Sequence, residues 1–356
     1  MNTQKNLTIY DIAKETNLSI ATISRVINKK GRYSAETEAR VLQAMETLGY
    51  SPSASAQRLA TQQTHTLSLM MPSWNKRQEG DAFTMQFLSG VTVAANELNY
   101  DVLLDNRSTF CEDDAELFIQ KKKADGLIFT FMSDPYHPFL SQLLKHDFPT
   151  VYTGMQLPFD QRGYNIYGGH EIYKRDFLEL CYQRNFRHVA MFTSYFHAEN
   201  LRLVESTMKI VEDFRKEKGL SADEYRLVLY DYYNPDSFQQ QLRGLLTQKT
   251  PVQAIYLDQL FTCSQAYGII NSIGLKIPED VSVVATSQYQ RGGEEFYPKL
   301  STTYVHAYEM GYNSVYKLVD LIDKKESSIP SHIPYSFIYR ESFLPQKDCT
   351  PPPSLL

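Results

Sequence analysis

The stretch from Leu7 to Tyr50, LTIYDIAKETNLSIATISRVINKKGRYSAETEARVLQAMETLGY, constrains this chain more than any other, because helix starts and stops are spelled out along it. Thr8 stands three residues before Asp11, a capping-box spacing that starts a helix running to about Thr16, with Ile9, Ile12 and Ala13 on one face. Asn17-Leu18 makes a tight turn, and Ser19 is placed to cap a second helix from Ile20 to Asn28. Ile23, Val26 and Ile27 recur at helical spacing and are expected to face inward. Ile20, Ala21, Ser24, Arg25 and Asn28 are left on the outer face. Ser34 caps a third helix, in which Val41, Leu42, Met45 and Leu48 are expected to close a small core before Gly49 stops it.

The outer face of the second helix needs a reason. A solvated helix usually carries Glu and Lys, whereas this one carries Ala, Ser, Arg and Asn. Small side chains allow close approach, and Arg and Asn form paired hydrogen bonds to guanine and adenine edges in a DNA major groove. Thr22, near the helix start, suits a phosphate held at the amino-terminal dipole. The bland alternative is an ordinary three-helix surface, since such patterns recur.

The segment resembles the DNA-binding head of the lactose-repressor (LacI/GalR) family of bacterial transcription regulators. The matching strings are Thr8-Ile9-Tyr10-Asp11-Ile12-Ala13 and Ser19-Ile20-Ala21-Thr22-Ile23-Ser24-Arg25-Val26-Ile27-Asn28. Val41-Leu42, Leu48-Gly49-Tyr50 and Pro52 follow at the family's spacing. The resemblance implies that Ile20, Ala21 and Arg25 read bases. It implies that Thr8, Ser19, Ser24 and Asn28 hold the DNA backbone or orient the helix. Ser53–Ala60 has good helix formers but spans only about two turns, too few to hold a helix alone in water. It resembles the family's hinge helix, which places Leu59 as a wedge between base steps and Ala56 at a close contact in the minor groove. Read without the resemblance, it is a polar linker that contains a leucine.

Charge agrees with a division of labour. Residues 1–60 carry eight basic and five acidic side chains, whereas the remainder carries 28 and 36, within a chain of net charge −5. Phosphate attraction is thus concentrated at one end. No apolar run approaches the roughly twenty residues of a membrane span, and the amino terminus lacks a signal peptide's apolar core. Cys111, Cys181, Cys263 and Cys349 are far apart, without metal or redox spacing, which fits unpaired thiols in a reducing compartment. The expected location is the cytoplasm.

From Thr66 onward short apolar strands alternate with amphipathic helices. Strands are expected at Leu67–Met71, Val102–Asp105, Leu127–Phe131, Val151–Thr153, Val189–Thr193, Leu227–Tyr230, Ala254–Leu257 and Val281–Thr286. Helices are expected near Thr84–Leu98, Asp113–Lys123, Tyr173–Cys181, Leu201–Lys218, Ser237–Leu246 and Ser264–Ile273. The fold class is therefore an all-α helix-turn-helix head with a hinge helix, followed by an α/β core of two lobes with parallel sheets and a cleft at the strands' carboxyl ends. The resemblance implies a periplasmic-binding-protein-like core whose chain crosses between lobes near Gly163, Gly292 and Lys325. It returns Thr302–Val305 and a helix Ala307–Asp323 to the first lobe, and Ser336–Arg340 to the second. The expected boundaries are head 1–50, hinge and linker 51–65, first lobe 66–163 with 293–325, second lobe 164–292 with 326–346, and a disordered tail 347–356.

The effector pocket is where the sequence departs from the family. Gly-Phe-Asp-Asp is replaced by Ala285-Thr286-Ser287-Gln288, and the usual Asn-Asp by Asp258-Gln259-Leu260. The expected Asp-Asn after the second lobe's first strand becomes Tyr167-Gly168, while Arg202 keeps the place of an effector-contacting arginine. In one account Arg202, Asp258, Gln259, Ser287 and Gln288 bind a sugar or other polar metabolite, with Trp74 or Tyr232 stacking on it. In the other the pocket has drifted and these groups satisfy one another. Enzymatic motifs are missing: there is no Gly-x-Ser-x-Gly elbow, phosphate-binding loop or Gly-x-Gly-x-x-Gly, and Lys174 takes the place of a second histidine after His170-Glu171. Lys121-Lys122-Lys123 reads as a solvated helix end.

These observations point to a DNA-binding transcription regulator, a repressor acting on a palindromic operator as a homodimer. Its partners are operator double-stranded DNA, a small-molecule effector of the carbohydrate kind and a second copy of itself, with no membrane, metal or cofactor. The competing reading is a two-lobed solute-binding protein without a regulatory DNA role, and an enzyme acting in the cleft is a weaker third.

Overall fold

Caps divide the amino-terminal unit, Met1–Thr66, into α1 (Ile9–Thr16), α2 (Ile20–Ile27) and α3 (Ala35–Leu48). The computed structural model describes residues 7–27, 31–50, 63–71, 82–105, 112–130, 138–154, 165–195, 201–231 and 234–343. Asp11 Oδ2 accepts from both the Thr8 backbone N–H and the Thr8 hydroxyl at 2.8 Å, and Asn17, at φ 52°, turns the chain out of α1. Ser34 Oγ accepts from the Thr37 N–H at 3.2 Å to start α3. Each such cap contributes about 1 kcal/mol. Gly49 ends α3 at φ 65°, and the Tyr50 N–H closes back on the Met45 carbonyl at 2.9 Å.

Ile12, Ile23, Val26, Val41 and Ala44 form the buried core of this unit, with Met45 and Leu48 packed at its side. Leu42, expected in that core, is 52% exposed. The inward stripe of α3 runs Val41, Ala44, Met45, Leu48, and Leu42 lies one residue, about 100°, off it. Arg40 binds α3 to α1 in a way the sequence did not announce: its guanidinium donates to the Thr16 carbonyl at the end of α1, where a cation also suits the helix dipole.

The second unit, Leu67–Leu356, is built on two sheets. The first has the order β2-β1-β3-β4-β5: β1 (Thr66–Met70), β2 (Asp101–Asp105), β3 (Gly126–Thr130), β4 (Thr150–Gly154) and β5 (Asn165–Tyr167). Its helices are α4 (Ala82–Glu97), α5 (Glu112–Gln120) and α6 (Pro138–Lys145). β1 and β3 are buried along their whole length, as expected of parallel strands covered on both faces. The second sheet has the order β11-β10-β9-β8-β6-β7. It comprises β6 (Val189–Tyr195), β7 (Tyr225–Asp231), β8 (Ala254–Leu257), β9 (Ser282–Ser287), β10 (Ser301–Tyr304) and β11 (Ser336–Ile338). Its helices are α7 (His170–Gln183), α8 (Leu201–Lys218), α9 (Pro235–Thr247) and α10 (Phe261–Ser272), and α11 (Ala307–Ile322) follows β10. All the strand pairs from β7 through β10 are parallel, and β11 joins antiparallel at the edge.

Strand pairing moves the expected crossings. β5 pairs with β4, so Asn165–Tyr167 closes the first sheet, and the chain leaves it at Gly168-Gly169 instead of near Gly163. Gly169 sits at φ 63° as the cap of α7, and a Cβ there would lie 2.6 Å from His332 Nε2, so only glycine fits. Ser301–Tyr304 pairs with β9 in the second sheet, so the expectation that Thr302–Val305 returns to the first lobe is corrected. The crossing comes after Val305, not near Gly292, and it is α11 that goes back to the first sheet. α11 lies against α4 where Gly90 and Gly311 bring the backbones together; an added Cβ would sit 2.0 Å from the Tyr308 carbonyl or 2.1 Å from the Phe87 carbonyl. Ser331 and Ile333 then exchange 2.9 Å backbone hydrogen bonds with Tyr167, so the last crossing falls after Ile333 and not at Lys325. Ser336–Ile338 joins the second sheet as expected. Four buried residues announce a strand, but which neighbour takes their hydrogen bonds is a tertiary fact.

Candidate nucleic-acid interface and ligand lobe

α2 is the element on which the DNA expectation rests. Ser19 Oγ accepts from the Thr22 N–H at 3.1 Å and pairs with the Thr22 hydroxyl at 2.9 Å. Thr22 thus gives its N–H to the cap and shares its hydroxyl with Ser19. Ile23 and Val26 are buried and Ile27 is half-buried. Turned away from them are Ile20, 39% exposed, with exposed Ala21, half-buried Ser24 and exposed Arg25. These four occupy adjacent positions one helical turn apart and form a single strip. The aliphatic stem of Arg25 lies beside Gly31, where a Cβ would come within 3.5 Å of Arg25 Cδ. Thr8 is exposed beside Asp11. Tyr10, 68% exposed, is a residue the sequence reading passed over; its signal was a large aromatic off the apolar stripe of α1. Asn28, Ala56, Leu59, Trp74 and Tyr232 lie outside the described residues.

In the second lobe the parallel register sets the carboxyl ends of neighbouring strands side by side. Phe192 pairs with Leu257, and Leu257 with Ala285, so Ser194, Asp258, Gln259, Ser287 and Gln288 fall along one edge. There most of the predicted contact residues bond to the protein itself. Gln259 Nε2 donates to Ser194 Oγ at 3.1 Å. Ser287, expected to face a ligand, is fully buried; its hydroxyl donates to the Tyr289 carbonyl at 2.9 Å and accepts from the Tyr289 N–H at 3.1 Å. Its role is corrected to that of a turn cap, which keeps a buried hydroxyl paired. Gln288 is half-buried, and Arg202 is exposed in the first turn of α8.

Asp258 is paired with Lys174, the residue that stands in place of a second histidine after His170-Glu171. Lys174 Nζ lies 3.2 Å from Asp258 Oδ1 and 3.3 Å from Oδ2, and donates to Thr207 Oγ1 at 2.8 Å. The lysine side chain is 2% exposed and the carboxylate 12%. Lys174 precedes Phe177, Leu178 and Cys181 at helical spacing, so a cation sits on the apolar stripe of α7. That spacing was the available signal. One turn earlier, His170 lies 3.2 Å from Ser206 Oγ through Nε2 and 3.2 Å from Glu171 through Nδ1. Burial, and secondarily the Lys174 charge, pull the His170 pKa down to about 3, so its imidazole is neutral near pH 7. Tyr256, buried beneath Asp258, shares a 2.7 Å hydrogen bond with Thr286. Together these contacts make a paired polar floor.

A small capped helical unit with an outward small-residue-and-Arg face, followed by two parallel sheets with polar strand ends, defines a DNA-binding transcription regulator with a ligand-type core. Comparison with known proteins places it. Residues 8–53 match the family of bacterial regulatory proteins, lacI family, and residues 178–343 match the periplasmic binding protein-like domain. The HTH-type transcriptional regulator RegA of Clostridium saccharobutylicum is 26% identical over 94% of this chain and 98% of its own length. The ribose operon repressor of Halalkalibacterium halodurans is 25% identical over 94% and 96%. Among solved structures, the lac repressor dimer bound to operator and an anti-inducer shares the fold, with a TM-score of 0.74 at 21% identity, covering 96% of this chain and all of that one. The chain thus carries a head matched by the lacI family of bacterial regulatory proteins and a core matched by the periplasmic binding protein-like domain. Among the described residues no helix is long and apolar enough to cross a membrane.

Proposed function

We propose that this regulator represses transcription by binding, as a homodimer, a two-fold symmetric operator, and that a small polar ligand of the carbohydrate class controls it from the second lobe. The observation that carries the DNA part is the exposed strip Ile20, Ala21, Ser24 and Arg25 on a helix whose other face is locked into a core. Arg25 is assigned to base edges, where a guanidinium reads guanine through two hydrogen bonds. Thr8, Ser19 and Tyr10 are assigned to the phosphate backbone, and Asn28, Ala56 and Leu59 extend the contact on the family's pattern. Two-fold pairing of heads matches a palindrome, because half-site spacing follows protein symmetry.

The ligand part is supported by the polar strand ends of the second lobe and by relatives that include a ribose operon repressor. Asp258, Gln259, Gln288 and Arg202 are the groups assigned to it. A ligand acts there only through a difference in affinity between two lobe arrangements. The test is selection of bound duplexes from a random pool with the full chain, repeated with a saccharide panel. Enrichment of a palindrome that a saccharide weakens or strengthens supports the proposal. A pool no different from its input sinks it.

A further inference from the structure

We infer that Lys174 is a positioning residue that cancels the charge of the Asp258 carboxylate in the second lobe's ligand site while leaving it a hydrogen-bond acceptor, selecting uncharged hydroxyl-bearing ligands over amines. The inference rests on the carbohydrate-class reading above. Its geometry is specific. The ammonium, almost wholly buried, reaches both oxygens of Asp258 and the hydroxyl of fully buried Thr207. Thr207 in turn donates to the Leu203 carbonyl at 2.8 Å, so its lone pairs are available to the lysine. The ammonium's three donors thus have the carboxylate's two oxygens and a hydroxyl to meet.

What little of the pair reaches the surface belongs to the carboxylate. A carboxylate has about four lone-pair sites, and Lys174 occupies those facing inward. The outward sites remain able to accept from a ligand hydroxyl. An unpaired carboxylate in that place would draw a cation; with the lysine beneath it, its charge is cancelled at about 3 Å while its hydrogen-bonding edge is kept. The neighbours conform. His170 is neutral, and Glu171 is tied to His170 and to Ser206, whose hydroxyl donates to it at 3.3 Å. Gln259 and Gln288 beside Asp258 are uncharged. Arg202, in the first turn of α8, shares a helix face with Ser206 and is the remaining charged side chain assigned to the ligand.

The test uses the full-length chain, with isothermal titration of neutral pentoses, hexoses and disaccharides and of the amino and acidic counterparts of each. The wild type is expected to bind a neutral saccharide more tightly than its amino counterpart. Lys174→Met should raise the amine-to-neutral affinity ratio by about tenfold or more, and Asp258→Asn should raise the acid-to-neutral ratio similarly. Restored neutral preference in the double variant Lys174→Met/Asp258→Asn supports the charge argument and guards against misfolding of one single variant. A lysine with only a structural role would lower affinity for every saccharide alike. Unchanged ratios, or a wild type that prefers an amine, overturn the inference alone. No binding by any saccharide overturns it together with the carbohydrate reading, and leaves operator binding to be judged by its own selection experiment.

Discussion

The two polar surfaces of this protein handle hydrogen-bonding groups in opposite ways. On α2 of the head the core side is sealed and Ile20, Ala21 and Arg25 are turned outward. At the strand ends of the second lobe the polar groups turn toward each other: Asp258 to Lys174, Gln259 to Ser194, Ser287 to the turn at Tyr289. The difference follows from burial. A solvated helix face satisfies its groups with water until a partner arrives, whereas groups on a buried edge need partners within the fold.

The contrast is most exposed to refutation at Lys174. Lys174→Met should lower the stability of the second unit by about 3–5 kcal/mol, because it strands a mostly buried carboxylate. Chemical denaturation followed by core tyrosine absorbance reads this, and a loss below about 1 kcal/mol would make the pair an ornament. Arg25→Ala leaves stability nearly unchanged but should cost about 1–3 kcal/mol of operator affinity and relax base preference at one position. Equal loss across all sequences would recast Arg25 as a phosphate contact. Ser19→Ala should destabilise the head by about 1 kcal/mol through its lost cap, seen as an earlier helix-melting transition by circular dichroism. Leu42→Gln should fall within about 0.5 kcal/mol of wild type; a larger drop in the same assay would return Leu42 to the core.

Those same residues mark what was legible in the sequence. The head's helices were readable because caps are local: Thr8 with Asp11, Ser19, Ser34 and Gly49 act within one turn. Leu42 was misplaced because two adjacent apolar residues cannot be ranked by period without a partner helix. Strands such as Ala254–Leu257 were readable from apolar runs, but Ser301–Tyr304 was given to the wrong sheet, since its neighbours β9 and β11 come from elsewhere in the chain. The short β5 spans too few residues to show a period, and α6 is an apolar-faced helix of only about two turns. At the ligand edge the positions of Asp258 and Ser287 could be located, yet their bonds depend on Lys174 and on a turn, which composition does not reveal. Lys174 itself is visible in the sequence as a charge on an apolar stripe, but its partner Asp258 lies 84 residues away, beyond the reach of any local pattern.

The route of the backbone has a consequence for how this molecule is made. Its first lobe borrows α11 and the bridge at Ser331–Ile333 from beyond the entire second sheet's parallel strands, and it seats that helix on α4 where Gly90 and Gly311 each admit the other helix's backbone. During synthesis, therefore, the early-emerging lobe waits on the ribosome for its last wall, with the Gly90 side of α4 bare until the late segment arrives. The lobe that begins first is completed almost last, and any truncation before Ala307 releases a chain whose opening sheet lacks one of its coverings.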